Sequence, residues 1–332
     1  MGVTTKDIAQ ICKVSRTTVN RALSGTGRIS EETKELILRT AKELDYHPDI
    51  LATSLKNGKT QNLGVLVFDI RNQYFAQMVN AIELEAKKKS YFVSINLHEK
   101  NKDTEKEILE KLVDYRVEGI IMSPVSKGKN FAKFVNKLGK PVVIIGNNVD
   151  ESIPFVGIDE ATAAIEAVNH IYSKGYRKIV FVCPPLSDAK NENVFTHEQR
   201  KKGFEAAVKK HKDIEQDIIS GWDYLDKVIA LMKNRSNEEG GKTAFFCSGD
   251  IYALEIMKAL RGMHLKAGED FGIMGFDNID VLDYVIPRLT TIDNAVDMVA
   301  TEAVNVLFDL INGKEVKDKT IVPHLLIEGE TL

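Results

Sequence analysis

Cysteine is scarce: Cys12, Cys183 and Cys247 are the only three in 332 residues, and no two form a C-x-x-C pair. Neither a disulfide framework nor a cysteine-held zinc site can organise such a chain, and the usage fits a reducing compartment. The seven histidines are scattered without metal-ligand spacing, so no metal residues are assigned. No apolar run approaches the roughly eighteen residues of a membrane span. The opening Met-Gly-Val-Thr-Thr-Lys enters an amphipathic helix directly, with no charged segment followed by an apolar run. No secretory signal is visible, and a cytoplasmic protein without membrane contact is expected.

The motifs of common enzymes are missing too. "NGKT" at 57–60 and "GGKT" at 240–243 resemble the end of a phosphate-binding loop, but the first glycine of that motif is replaced by Thr53 and Ser236. No G-x-G-x-x-G follows a strand, and neither G-x-S-x-G nor H-E-x-x-H occurs. No catalytic residues and no cofactor are assigned. A nucleotide-binding α/β enzyme and a cytoplasmic sugar-binding protein remain as the alternative functions.

The length allows about two to three domains. The overall charge of −3 is unevenly spread. Residues 1–30 hold Lys6, Lys13, Arg16, Arg21 and Arg28 against Asp7 alone, a net +4 that leaves −7 on the other 302 residues. A basic head on an acidic body points to a local polyanion contact.

That head reads as three short helices. Thr4 with Asp7 three residues on is a capping-box variant, and helix one runs to about Cys12 with Ile8, Ala9 and Cys12 inward. Lys13 and Val14 make a turn, Ser15 caps helix two, and the helix ends near Gly25. Ser30 caps a third helix whose Leu36, Ile37, Thr40, Ala41 and Leu44 share a face. This is the pattern of a helix-turn-helix module. Helix two presents Arg16, Thr17, Asn20 and Arg21 together, with no acid among them. Arg bonds guanine in a fork, Asn does the same to adenine, and Thr suits the thymine methyl. A missing carboxylate matters because phosphates flank every base edge. A solvated face in a small bundle is the alternative.

From Leu63 onward apolar runs alternate with amphipathic helices: "LGVLVFDI", "YFVSINL", "EGIIMSP", "PVVIIGN", "FVGID", "KIVFV", "TAFFCS" and "FGIMGFD" read as strands. Repeated β-α-β implies parallel sheets with right-handed crossovers, and so many strands fit two sheets better than one. Ligands of such sheets sit beyond the carboxyl ends of the strands. That rule selects 69–75, Ser123, Gly146 with Asn147, 248–250 and 276–278. Some of these could equally be loop caps.

The motifs D-I-A, V-S, T-V-x-R, S-x-x-T, L-x-Y-x-P and A-x-x-L over residues 3–58 resemble the headpiece and hinge of the lactose-repressor/galactose-repressor family of bacterial transcription regulators. The body, from Leu63 to the end, is similar to the effector domain of the same family through "R-x-x-G-F", "GFDN" and "PRLTTI". The resemblance implies an α/β chain: a helix-turn-helix domain at 1–46, a hinge helix and linker at 47–60, and a two-lobed, parallel α/β, periplasmic-binding-protein-like body. Its lobes would be 61–160 with 292–322, and 161–291 with 323–332. It implies a homodimeric regulator, a repressor by expectation, that binds double-stranded, pseudo-palindromic operator DNA and answers to a sugar-like effector held between the lobes.

The same resemblance extends the DNA-facing set to Thr5, Ser15, Thr18 and Arg28, and makes Leu55 a minor-groove wedge with Ala52 at a close helix contact. A plain flexible linker is the alternative there. It makes Tyr74, Phe75, Ser123, Asn147, Arg200, Trp222, Asp277 and Asn294 the effector residues, with Arg200 clamping hydroxyls or carboxylates and Trp222 stacking on a sugar face. Singly, Arg200 could pair with a surface acid, Trp222 could be core, and Asp277 could cap a helix. Asp250 reads as a cap. Lys13 stands where the family often has glycine, Asn20 where it often has serine, and Gly249 where it often has asparagine. Gly146 and Asn147 stand where it often has aspartate. A dimer rather than a tetramer is expected because nothing after "IVPHLLIEGETL" could build a further apolar heptad helix. Phe75, Met78, Val79 and Ile82 would contribute to the dimer contact, unless they pack on their own sheet.

Overall fold

Three short helices cannot be stable alone and need a shared core. Ile8 and Ala9 of α1 (Thr5–Ile11), Val19 and Ala22 of α2 (Arg16–Ser24), and Ile37 and Ala41 of α3 (Glu31–Glu43) form it, with Cys12 at its edge. The computed structural model describes residues 3–47, 59–186, 192–235 and 242–332. Each helix start has its own device. The Asp7 carboxylate accepts from the Thr4 N–H at 2.8 Å, and Ser15 and Ser30 accept from the N–H groups of Thr18 and Thr33. Lys13 adopts φ 52°, the left-handed turn that a glycine would fill without strain, and Gly25 ends α2 at φ 65°. Leu36, placed inward by periodicity, is exposed, because the inner stripe of α3 is only as wide as Ile37, Thr40 and Ala41. Ala52, Leu55 and the expected hinge helix lie outside the described residues.

Residues 61–332 form a second unit with two parallel sheets. The first sheet has the order β11-β5-β4-β3-β1-β2. Its strands are β1 (Asn62–Val67), β2 (Phe92–Leu97), β3 (Gly119–Met122), β4 (Val142–Ile145), β5 (Phe155–Gly157) and, from far along the chain, β11 (Lys319–Ile321). Helices α4 (Gln73–Lys88) and α11 (Val296–Ile311) cover one face, and α5 (Lys102–Asp114) and α6 (Lys129–Lys137) the other. Gly64 and Gly119 make this close cover possible: a Cβ would fall 2.8 Å from Leu112 at the first and 2.7 Å from Leu307 at the second.

The second sheet has the order β7-β6-β8-β9, from β6 (Lys178–Cys183), β7 (Glu215–Ser220), β8 (Thr243–Cys247) and β9 (Gly272–Met274). It is packed by α7 (Glu160–Ser173) and α8 (Phe195–Lys210) on one face and by α9 (Tyr224–Arg235) and α10 (Asp250–Arg261) on the other. Strand β7 is absent from the sequence reading. It is an edge strand whose first residues are exposed, Glu-Gln-Asp, and so carries no apolar run. A two-stranded antiparallel ribbon of β10 (Thr291–Asp293) and β12 (Leu325–Ile327) completes the connections. No helix among the described residues is long and apolar enough to cross a membrane.

Met78, Val79 and Ile82 are buried in the body's own core, so three of the four residues offered for a dimer contact pack on their own sheet instead. Helices α7 and α8 pack closely at Gly203. An added Cβ on Gly203 would lie 2.3 Å from the Ala161 carbonyl oxygen and 2.7 Å from the Ala164 Cβ. Gly203→Ala should therefore push α8 off α7 and destabilise the body by about 1–3 kcal/mol; a lower urea midpoint with an unchanged slope is the expected result.

Candidate functional site

In the head, α2 carries Arg16, Thr17 and Arg21 exposed and Asn20 half-buried, while Val19 and Ala22 face inward. The face is not uniformly free. Arg16 Nε donates to Thr5 Oγ1 at 3.0 Å, which holds its guanidinium against α1. Arg21 lies along Gly27, where a Cβ would come 3.1 Å from its Cδ. Ser15 and Thr18 share a hydroxyl contact of 2.8 Å at the helix start. Thr17 and Arg28 are exposed. The arrangement offers donors, hydroxyls and positive charge to a polyanion, and no carboxylate on α2 opposes it.

In the body, a cleft opens beyond the carboxyl ends of β1–β4, β6, β8 and β9. Tyr74, Phe75, Ser123, Asn147, Arg200, Trp222 and Asp277 line it. Asn294 does not, but its Nδ2 donates to Asp277 Oδ1 at 2.6 Å from behind the wall. Trp222 is 64 % exposed, so it is not core.

The floor of the cleft is built around one buried guanidinium. Arg200 Nε donates to Glu160 Oε2 at 2.7 Å, and its Nη1 donates to the Ser248 carbonyl at 2.6 Å and reaches Asp277 Oδ1 at 3.5 Å. Its Cζ lies 3.6 Å from the centre of the Phe276 ring. Burial works against the Arg200 charge, but Glu160 and Asp277 outweigh it and hold the guanidinium above its ordinary value. Burial raises Asp277, with Arg200 pulling the other way. Asp277 sits at φ 124°, a strained conformation for a residue with a side chain. Asp250 holds that loop: its Oδ2 accepts from the Ile279 N–H at 3.0 Å and its Oδ1 from the Thr291 hydroxyl at 2.6 Å. Burial pushes Asp250 up to about 6. It is thus a fastener of neighbouring segments, not a cap of its own helix.

Residues beyond the sequence reading complete the walls. Lys100 Nζ stands 4.5 Å over the Phe68 ring and 4.8 Å over the Trp222 ring; burial lowers it, with Glu192 and Asp69 opposing. His98 bonds the Ser123 carbonyl oxygen through Nε2 at 2.9 Å. Both follow β2, whose carboxyl end the strand rule could have selected. His197 precedes Arg200 by three residues and so shares its helix face. Its Nδ1 is buried without a partner, and burial, then Arg200 and Lys100, push the ring from an ordinary 6.5 down to about 3. Glu160 carried no sequence signal, because forty residues separate it from Arg200.

Asn147 is committed elsewhere. Its Nδ2 donates to the Asn193 carbonyl at 2.9 Å, and its Oδ1 accepts from the Thr196 N–H at 3.1 Å. Asn193 in turn donates to the carbonyls of Ser126 and Asn148. These asparagines tie the loops after β3 and β4 to the start of α8. Buried Glu105 holds the same β3 loop, accepting from the N–H groups of Val125 at 2.8 Å and Ser126 at 3.1 Å. Among the described residues no group of three or more His, Cys, Asp or Glu is arranged to hold a metal ion.

Two family models match the chain. Residues 4–49 match bacterial regulatory proteins of the lacI family, and residues 168–332 match a periplasmic binding protein-like domain. The chain is 30% identical over 336 residues to the NTD biosynthesis operon regulator NtdR of Bacillus subtilis (strain 168), covering 99% of each chain. It is 29% identical over 329 residues to catabolite control protein A of Priestia megaterium, covering 98% of this chain and 97% of that one. A solved periplasmic binding protein/LacI transcriptional regulator from Alkaliphilus metalliredigens QYMF, complexed with D-xylulofuranose, is 31% identical with a TM-score of 0.71, over 82% of this chain and 98% of that one. The lac repressor dimer bound to operator is similar in fold at a TM-score of 0.86 and 22% identity, over 100% of this chain and 99% of the other.

Two outcomes follow from the floor geometry. Arg200→Ala removes the cation that the Glu160 and Asp277 carboxylates share and should cost about 3–5 kcal/mol of stability. Adding Glu160→Gln should recover part of that loss, and a double-mutant cycle by urea denaturation measures it. His197 is a base held below its ordinary value, so the unfolded chain binds the extra proton. The stability it contributes is complete above about pH 6.5 and is lost as pH falls toward about 3. His197→Gln should therefore lose less stability than the parent between neutral and mildly acid solution, read as the difference in urea midpoints at the two pH values.

Proposed function

This chain belongs to the lacI family of bacterial regulatory proteins, and from that premise we propose that it is a homodimeric, non-catalytic repressor whose operator affinity is set by a sugar-like effector in the body cleft. What supports the reading is a basic, acid-free helix face on one unit and a ligand-sized polar cleft on another, within one chain. The relatives add to it. The lac repressor is bound to operator as a dimer, and the Alkaliphilus protein is complexed with a sugar.

In this reading residues 1–46 are the DNA-binding domain and 47–60 the hinge. Residues 61–160 with 292–322 form one lobe, and 161–291 with 323–332 the other. Thr17, Asn20 and Arg21 read base edges or phosphates, and Ser15, Thr18 and Arg28 position the helix. Arg16 keeps Thr5 and itself in register through their hydrogen bond. Ala52 and Leu55 act at the dyad, where an inserted leucine kinks a deformable step. Two heads on a two-fold axis read half-sites about one helical turn apart. In the cleft Arg200 and Asp277 meet the effector's hydroxyls, while Trp222, Tyr74 and Phe75 take its apolar face. Ser123 borders the ligand, Asn147 acts by tying the halves together, and Asn294 acts through Asp277. The effector changes operator affinity only by binding the two body states unequally, typically by about 1–3 kcal/mol.

A fluorescence titration with a pseudo-palindromic operator tests the reading. Arg21→Ala should lose about 1–3 kcal/mol on operator. Leu55→Ala should lose affinity for operator and almost none for random duplex, because a wedge contributes only where a central step yields. Unchanged operator affinity in both variants would reject the proposed interface.

A further inference from the structure

The cleft holds two cations in opposite situations. Lys100 and Arg200 are the only lysine and arginine that line it among the described residues. Arg200 is balanced by the floor itself, 2.7 Å from Glu160 and 3.5 Å from Asp277. Lys100 has no such balance. Among the described residues its ammonium has no carboxylate within ion-pair distance and no hydrogen-bond acceptor; it stands 4.5 Å over the Phe68 ring and 4.8 Å over the Trp222 ring. Ring faces attract a cation but leave its three N–H donors without an oxygen. Glu192 and Asp69 act on Lys100 from farther off, and burial outweighs them and lowers it. This half-buried ammonium has given up part of its water and gained no acceptor in return.

A strained turn fixes Lys100 in that place. Glu99 at φ 49° and Lys100 at φ 60° are two successive left-handed residues, neither of them glycine. Buried His98 holds the turn through both ring nitrogens. Its Nδ1 accepts from the Lys100 N–H at 3.2 Å, which puts the ring hydrogen on Nε2, and Nε2 donates to the Ser123 carbonyl at 2.9 Å. The His98 carbonyl accepts from the Asn101 N–H at 2.8 Å, and Asn101 caps α5. Strain fastened in this way points to a side chain whose position matters. The place is where the two halves face each other. Phe68 and Lys100 follow β1 and β2 of the six-stranded sheet, and Trp222 follows β7 of the four-stranded one.

We infer that Lys100 is a specificity-determining residue of the cleft, pairing with an anionic oxygen group of the effector, either a carboxylate or a phosphate ester. Such a group gives the ammonium the acceptors it lacks, between the rings of Phe68 and Trp222, and leaves Arg200 and Asp277 to the ligand's hydroxyls. The inference rests on the reading of the cleft as the effector site. It narrows that site to acidic ligands and adds a residue that the resemblance does not supply.

The test uses the full chain, titrated by calorimetry and by tryptophan fluorescence with D-ribose, D-xylose, D-glucose and D-galactose and with the terminal phosphate ester and aldonic acid of each. Trp222 is the only tryptophan and lies against Lys100, so its emission reports an anion arriving there. At least one phosphate or aldonate should bind about tenfold or more tightly than its parent sugar, a difference of about 1.4 kcal/mol, and should shift that emission. The separate phosphate and aldonate arms tell which group is read. Lys100→Met, which keeps the stem and removes the charge, should bring acid and parent to similar affinity. Lys100→Arg, which keeps the charge, should retain most of the preference, and the unfolding transition of each variant controls for folding. Parent sugars that bind as tightly as every acid, or a folded Lys100→Met that keeps the preference, overturn the inference while leaving the cleft as the effector site. Calorimetric binding with no change in Trp222 emission places the ligand elsewhere and removes the effector-site reading and the inference together, as does no binding by any of the probes.

Discussion

The buried Arg200 guanidinium is the interaction on which the body's site depends. An isolated charge at that depth would be far too costly, so it requires partners from several elements at once. Glu160 comes from the first turn of α7, the Ser248 carbonyl from the end of β8, and Asp277 from the loop after β9. Each partner has its own support. Gly203 lets α8 close on α7 so that the Arg200–Glu160 bond forms, Asp250 fastens the β9 loop, and Asn294 pins Asp277. Strain at Asp277, where φ is 124°, is held by the same contacts. The cluster is better understood as a device that fixes geometry than as a source of stability, since a buried ion pair rarely outdoes an apolar replacement.

The two halves of the body are tied on two sides of the cleft. Near α8, Asn147 and Asn193 exchange hydrogen bonds between the loops of the six-stranded half and the helix that bears His197 and Arg200. Elsewhere Gln77 donates to Asp280 at 2.7 Å, and Gln73 accepts from the Val281 N–H at 3.3 Å, linking α4 to the short 3-10 helix Asp280–Tyr284. Apart from the Gln77 bond to the Asp280 carboxylate, these are neutral amide contacts, each contributing about 1 kcal/mol net. Contacts of that size can be exchanged when a ligand binds the halves unequally, which is what a switch between two body states requires.

The head depends on a different constraint. Its core is small, so each helix start relies on a local cap: Asp7 with Thr4, Ser15 with Thr18, Ser30 with Thr33. The caps let α2 turn its apolar stripe inward without using its polar face. That face keeps its basic and amide groups outward, apart from the Arg16–Thr5 bond, which orients one of them.

Local patterns were legible in the sequence because their causes are local. Capping residues, the period of buried positions in α1–α3, and the apolar runs of the central strands all act within a few residues, and they place the helix-turn-helix module and the parallel sheets. The rule that ligands gather beyond strand carboxyl ends likewise picks out Ser123, Gly146, Ser248 and Asp277, since strand order is enough to apply it. Edge strand β7 escaped because an exposed strand has no apolar signature. Tertiary structure alone decided which polar groups are engaged and which are left open. It commits Asn147 to Asn193, exposes Trp222, buries Met78, Val79 and Ile82 in their own core, pairs Arg200 with Glu160 forty residues away, and leaves His197 Nδ1 without a partner. The physical reason is that hydrogen-bond satisfaction and charge pairing depend on distances of a few ångströms between segments far apart in the chain, and no local pattern encodes those distances.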